Sequence, residues 1–255
     1  MKALITGASS GIGRDIARVL ASQGCDLIIA ARRRERLEEL KQELTVSVQI
    51  ECCDLSNPKE CLALYQRVKS EQIDILINNA GFGLCGYFSD SDLERELQMI
   101  NTNISALHIL TKCFLKDFLQ RGSGQILNIA SSAAFFPGPL MATYYASKAY
   151  VLHLTEALRE EVRRQNAGIY VGALCPGPVK TEFDKTANVT FSLNGLDSYC
   201  LAEYTVKKMK KGTKLIIPGL SMKFAYFFHR FLPKTLLLRC VYHFQKKKTK
   251  NSESL

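Results

Sequence analysis

Hydrophobic positions in this chain follow two rhythms that alternate from the first residues onward. Short, nearly continuous apolar runs such as Leu27-Ile28-Ile29-Ala30 and Ile75-Leu76-Ile77 are separated by longer stretches with one apolar face, such as Ile16, Ala17, Val19 and Leu20. The first rhythm marks strands covered on both faces, and the second marks amphipathic helices. Strands are predicted over Lys2–Thr6, Asp26–Ala30, Ser47–Cys52, Ile73–Asn78, Gly124–Ala130, Ile169–Leu174 and Lys214–Ile217. Helical spacing covers 12–23, 34–44, 57–70, 91–120, 142–166 and 198–210. Strands alternating with helices build βαβ units with right-handed crossovers. The expected architecture is α/β: a single doubly wound domain with a seven-stranded parallel sheet and helices on both faces. Pro176-Gly177-Pro178 breaks the pattern sharply, and an irregular stretch over 179–205 follows it, where such sheets bind ligands.

Length and composition add limits. A chain of 255 residues, 47% hydrophobic and 23% charged, suits one globular domain. Its nine cysteines form no CxxC pair and lie near no histidines at zinc spacing, so no metal site is expected. Buried, reduced thiols in a cytoplasmic protein are the expectation. The apolar stretch after Lys2 is too short for a signal peptide, and no run of 18 apolar residues could span a membrane.

The net charge of +10 is unevenly spread. Residues 205–255 hold 13 Lys or Arg and one acid, Glu253, whereas residues 1–204 hold 21 basic and 23 acidic residues. A nearly neutral body over 1–220 and a basic, aromatic-rich helical extension over 221–255 are therefore distinguished. Pro233 should divide that extension into two helices. Large apolar and basic residues interleave over 222–248, which fits a helix lying on a membrane surface. Cover of a substrate cleft or an oligomer contact fits equally. Nucleic acid is excluded as a partner, because the basic residues alternate with apolar ones that need burial.

The chemistry begins where the first strand ends, in Thr6-Gly7-Ala8-Ser9-Ser10-Gly11-Ile12-Gly13. Glycines there permit a tight turn and close backbone approach to a pyrophosphate, and the next helix presents its first amides to the anion. That strand–turn–helix setting points to a dinucleotide. NAD-binding chains usually carry an acid at the end of the second strand. Here Arg32 and Arg33 stand instead, and a guanidinium can hold a 2′-phosphate bidentately. NADP(H) is the expected cofactor.

With Asp54-Leu55, Asn78-Asn79-Ala80-Gly81, Asn103, Ser131, Tyr144–Lys148 and Pro176–Thr181 added in order, residues 1 to about 220 resemble the short-chain dehydrogenase/reductase family. The YxxxK spacing occurs at Tyr65, Tyr144, Tyr204 and Tyr242, but only Tyr144 follows a strand ending in serine and opens a helix. Residues four apart share a helix face, so the Lys148 cation can sit near the Tyr144 phenol and lower its pKa.

The resemblance implies a Rossmann-type fold and hydride transfer between NADP(H) and a carbonyl or secondary alcohol, with Tyr144 as general acid/base. It assigns Ser131, or its neighbour Ser132, to the substrate oxygen. Lys148 would hold the nicotinamide ribose. Asn103, with Asn101 as competitor, would hold a water linking Lys148 to solvent. Cofactor contacts are implied for Gly7, Ser9, Ser10, Gly11, Ile12, Gly13, Arg32, Arg33, Asp54, Leu55, Asn79, Ala80, Gly81, Pro176, Gly177, Val179 and Thr181, besides Tyr144 and Lys148. Thr6 and Asn78 are expected to stabilise turns. The apolar run Ala133–Pro139 suggests a lipophilic small-molecule substrate, with a pocket lined near 82–88, 133–142 and 182–200. A homo-oligomer is also expected. The alternative is a non-catalytic cofactor-binding scaffold, attached to a membrane through its tail.

Overall fold

A computed structural model of the chain describes residues 1–183 and 195–250, the last four by their backbone. Its strands are β1 (Lys2–Thr6), β2 (Asp26–Ala31), β3 (Val48–Cys52), β4 (Ile75–Asn78), β5 (Ser123–Ile129), β6 (Gly168–Leu174) and β7 (Leu215–Ile216). All pair in parallel, in the order β3-β2-β1-β4-β5-β6-β7. The order runs outward from β1 in one direction and from β4 in the other. The crevice beyond the carboxyl ends of these two strands is where a doubly wound sheet binds its ligand.

The described helices are α1 (Gly11–Ala21), α2 (Arg34–Glu43), α3 (Pro58–Val68), α4 (Leu93–Ile100), α5 (Leu107–Arg121), α6 (Ala142–Arg164), α7 (Ser198–Lys210), α8 (Leu220–Phe228) and α9 (Lys234–Lys250). They explain the unbroken apolar runs in the strands. Successive strand residues point to opposite faces. Ile5, Ile29 and Ile77 pack with Leu20, Leu37 and Leu201 of α1, α2 and α7. Leu4, Ile28 and Leu76, one position away on each strand, pack with Leu64, Phe114 and Val162 of α3, α5 and α6 on the other side.

Two predicted elements are corrected. The helix expected over 91–120 is divided: α4 passes through a π-helical turn at Asn101–Ala106 before α5. Such turns carry one extra residue within an α-helix and gather at functional sites. Asp92 starts the run by accepting from the Arg95 amide at 2.8 Å, and Gly122 ends it at φ 72°. The stretch expected to be irregular over 179–205 overlaps the helix predicted over 198–210, and from Ser198 onward it is that helix, α7, that forms. Asp197 opens that helix by accepting from the Cys200 amide at 2.9 Å. Residues 184–194 of that stretch lie outside the described residues.

Pro233 does separate two helices. After α8 comes a 3-10 turn at His229–Phe231, and α9 starts just past the proline.

Candidate active site

The glycine turn is held by side chains from β1 and the loop after β4. Thr6 Oγ1 accepts from the amides of Asn79 and Ala80 at 2.9 and 3.1 Å. Asn79 Nδ2 donates to the carbonyls of Thr6 and Gly7 at 3.0 and 3.1 Å. A Cβ on Gly13 would lie 2.3 Å from Asn79 Nδ2, and one on Gly7 would lie 2.8 Å from Ala80 Cα. These glycines are there because two loops close on each other. Gly7 and Gly11 also have φ of 66° and 54°, which L side chains avoid. Asn78 sits deeper, donating to Thr111 and Asn128 at 2.9 Å, a structural role.

Helix α1 begins with anion-binding capacity to spare. Its N-cap Ser10 makes no side-chain capping bond, and no acid stands in the first turn. Ser9, Ser10, Gly11 and Ile12 all border a cleft. Arg33 arches over this turn, donating to the hydroxyls of Ser9 and Ser10 at 3.1 and 3.0 Å. It also pairs with Glu182 at 2.8 Å, and Arg36 approaches the same carboxylate at 3.6 Å. The Arg33 guanidinium holds the Glu182 carboxyl below its usual range.

The opposite end of the cleft gathers the tyrosine, the lysine and the serine. Tyr144 and Lys148 lie near the start of α6 and are both buried. Lys148 Nζ donates to the Ile129 carbonyl at 2.9 Å and sits 5.9 Å from the centre of the Tyr144 ring. Contrary to the lowering expected from Lys148, burial pushes the Tyr144 phenol up to about 12, opposed by a hydrogen bond from Ser131. Burial lowers Lys148 to about 8. Ser131, which caps a short 3-10 turn at Ser132–Phe135, is the serine that reaches the phenol. Ser132 instead donates its amide to the Pro176 carbonyl at 2.8 Å.

Asn103 stands behind this group, on the π-helical turn. Its Oδ1 accepts from the Phe82 amide at 3.0 Å, and its Nδ2 donates to the Phe82 carbonyl at 2.9 Å and to Ser147 at 3.0 Å. One amide thereby joins the loop after β4 to α6. Asn101 accepts from Ser105 within its own helix.

The cleft has a volume of about 700 Å³ and runs from Arg32, Arg33 and Asp54 past Asn79–Gly81 to Ser131, Tyr144 and Lys148. Leu55, Pro176, Gly177, Val179 and Thr181 also border it. Of the residues expected in the site, Gly13 and Asn103 stand behind the lining. A long cleft with free helix amides in the middle, a guanidinium at one end and a buried lysine at the other fits a dinucleotide.

The family model for short chain dehydrogenases matches residues 1–190. The chain belongs to the short-chain dehydrogenase family. It is an oxidoreductase by that membership. The 3-oxoacyl-[acyl-carrier-protein] reductase of Rickettsia prowazekii is 37% identical over 188 residues, covering 72% of this chain and 75% of that one. The very-long-chain 3-oxoacyl-CoA reductase of Anas platyrhynchos is 30% identical over 236 residues, covering 88% and 74%. A short-chain dehydrogenase from Sphingobium yanoikuyae, solved in complex with NADPH, superposes with a TM-score of 0.83 at 33% identity, covering 92% and 94%.

In this short-chain dehydrogenase the C-terminal extension covers part of the cleft, one of the roles expected of it, through residues that no motif singled out. Met222 and Ala225 of α8, and Val241, Phe244 and Gln245 of α9, border it from the extension. Phe135 meets Tyr226 of α8 at 4.7 Å between ring centres, and Phe183 approaches Tyr144 at 5.3 Å. Tyr145, beside Tyr144, is also on the lining. Phe82, Ala133, Phe135, Phe136, Met141, Glu182 and Phe183 of the expected pocket border the cleft, whereas Leu84, Cys85, Gly86 and Phe88 line a separate small cavity. Nothing in the local patterning distinguishes Gln245 from a surface glutamine. Its position depends on how the two last helices fold back.

Proposed function

We propose that this chain is an NADP(H)-dependent reductase of carbonyl groups on lipophilic, acyl-chain substrates, acting through Tyr144. The observation that carries the reading is the buried Tyr144 phenol, hydrogen-bonded to Ser131 with the Lys148 ammonium 5.9 Å from its ring. Arg33, poised over the α1 turn, supports the phosphorylated cofactor, because its fork already binds a carboxylate and two hydroxyls. The NADPH complex of the Sphingobium relative is in keeping with that. The two 3-oxoacyl reductases among its relatives, and the apolar lining from Phe135, Met222, Val241 and Phe244, support an acyl substrate.

A cofactor held along the Gly7–Ile12 turn, with its 2′-phosphate on Arg33 and its ribose on Lys148, supplies the hydride when bound. The residues of the chain do the rest. Ser131 and Tyr144 orient the carbonyl oxygen by hydrogen bonds. Charge gathering on that oxygen is met by the Tyr144 hydroxyl, which gives up its proton to it. The Lys148 cation then favours the phenolate left behind. Asn103 keeps the loop at Phe82 and helix α6 in register, so this group does not spread.

The test is turnover of 3-oxoacyl thioesters followed by NADPH oxidation. Tyr144→Phe should lower kcat by about 10²–10⁴-fold, with NADPH affinity unchanged by fluorescence titration. Undiminished turnover in that variant would sink the mechanism.

A further inference from the structure

Helix α8 breaks the rule that surface helices obey. Its inward positions Met222, Ala225 and Tyr226 face the cleft wall. Its outward positions are also apolar. Leu220, Phe224, Phe227 and Phe228, then Phe231 and Leu232 in the turn beyond, are exposed by 73, 60, 52, 51, 66 and 46%. Their spacing keeps them on one side, where a helix facing water carries charge. They also form a single patch. Ring centres of Phe224 and Phe228 are 6.1 Å apart, those of Phe227 and Phe228 5.1 Å, and those of Phe227 and Phe231 5.6 Å. A contiguous apolar surface of this kind is an interaction site.

Charge selects the partner. The chain has no Asp or Glu between Tyr204 and Ser252, and eight Lys or Arg between 220 and 250. Lys223, Arg230 and Lys234 are exposed around the aromatic patch. The Arg230 guanidinium lies 5.6 Å from the Phe227 ring centre. A two-fold pairing of this face with a second copy would set cations against cations. An anionic bilayer offers the complement, with acidic headgroups for the basic rim and an interface where aromatic rings are favoured. No helix among the described residues is long and apolar enough to cross a membrane. A nine-residue helix with this make-up lies along the surface.

We infer that the outward face of α8 and the following turn docks on an anionic lipid bilayer. Met222 and Ala225 border the cleft from the same helix, and Phe244, 42% exposed, borders it from α9. Docking therefore turns that side of the cleft towards the lipid. The inference stands on the surface alone and does not depend on the reaction assigned to the cleft.

Flotation of the full-length protein with phosphatidylcholine vesicles, with and without phosphatidylglycerol, tests it without any turnover. The protein should float with the phosphatidylglycerol vesicles, and rising salt should weaken the association. Phe227→Ser combined with Phe231→Ser should reduce binding about tenfold or more. Lys223→Glu with Lys234→Glu should do the same and decides the matter if the phenylalanine variant melts abnormally. Wild-type protein that fails to float with acidic vesicles overturns the inference. So does unchanged binding in the variants. Light scattering that shows a wild-type dimer lost in the phenylalanine variant, with no vesicle binding, would make this face a contact between copies and equally overturn it.

Discussion

The Gln245 side-chain amide, buried on α9, donates to the Tyr145 hydroxyl on α6, one residue from Tyr144 and 100 positions away in sequence. The bond fastens the end of the extension to the helix that carries the proposed acid/base. Burial pushes the Tyr145 phenol well up, so it stays a neutral partner. Gln245→Ala removes the partner of a half-buried hydroxyl, which costs about 1 kcal/mol. The expected outcome is a lower melting temperature and a several-fold rise in KM for the carbonyl substrate. Cofactor affinity should hold, since Gln245 bonds Tyr145 and none of the residues of the α1 turn.

Gly81 lies where Asn103 and Lys148 close on the loop after β4. A Cβ there would sit 2.9 Å from Asn103 Oδ1 and 3.4 Å from Lys148 Nζ. Gly81→Ala must push one of them aside, and overpacking of this sort costs about 1–3 kcal/mol. Turnover should fall by more than cofactor binding does, measured side by side with the melting temperature.

The lysine sets the pH response. With Tyr144 near 12 and Lys148 near 8, both keep their protons at neutral pH, and the ammonium loses its own first as pH rises through about 8. Carbonyl reduction should be flat at neutral pH and fall as pH rises through about 8. Lys148→Arg, which keeps its charge, should move that fall upward. Stability moves in the opposite sense. The folded pKa of Lys148 is depressed below the ordinary 10.5, so between about 8 and 10.5 the unfolded chain binds more protons and stability rises with pH. Melting of Lys148→Met should lack that rise.

In the proposed complex the Glu182 carboxylate competes with the cofactor's 2′-phosphate for Arg33. A 2′-phosphate must take the guanidinium from the carboxylate 2.8 Å away. Glu182→Gln should tighten NADPH binding, and Arg33→Ala should weaken it about tenfold, both with NADH nearly unaffected. Fluorescence titration of the two cofactors would check this. Equal losses for NADH and NADPH in Arg33→Ala would take the phosphate away from Arg33.

The sheet was legible because its strands are buried on both faces and leave apolar runs that water-facing strands do not have. The helix starts at Asp92 and Asp197 were legible in principle, as capping aspartates ahead of periodic segments. The π-helical turn was not, because Asn101–Ala106 keeps helical composition and differs only in its hydrogen bonding. In the cleft, residues tied to local backbone form, such as Gly7 and Gly11, could be read from their neighbours. Tyr145 and Gln245 could not, since what places them is contact between distant elements. Glu182 shows the same limit: no spacing announces that it meets Arg33 across 149 positions.

The π-helical turn also limits how this family member can vary in length. An α-helix advances about 100° per residue. Deleting one residue between Asn101 and Ala106 would restore regular winding at the cost of rotating everything after it by that angle. Leu110, Phe114 and Phe118, now buried against the sheet, would swing away from it, and Asn103 would turn from Phe82. The surplus residue is what lets one continuous rod present its asparagine to the Phe82 loop and its apolar stripe to the core, so insertions and deletions should be tolerated in the loops on either side of this rod and rejected within it.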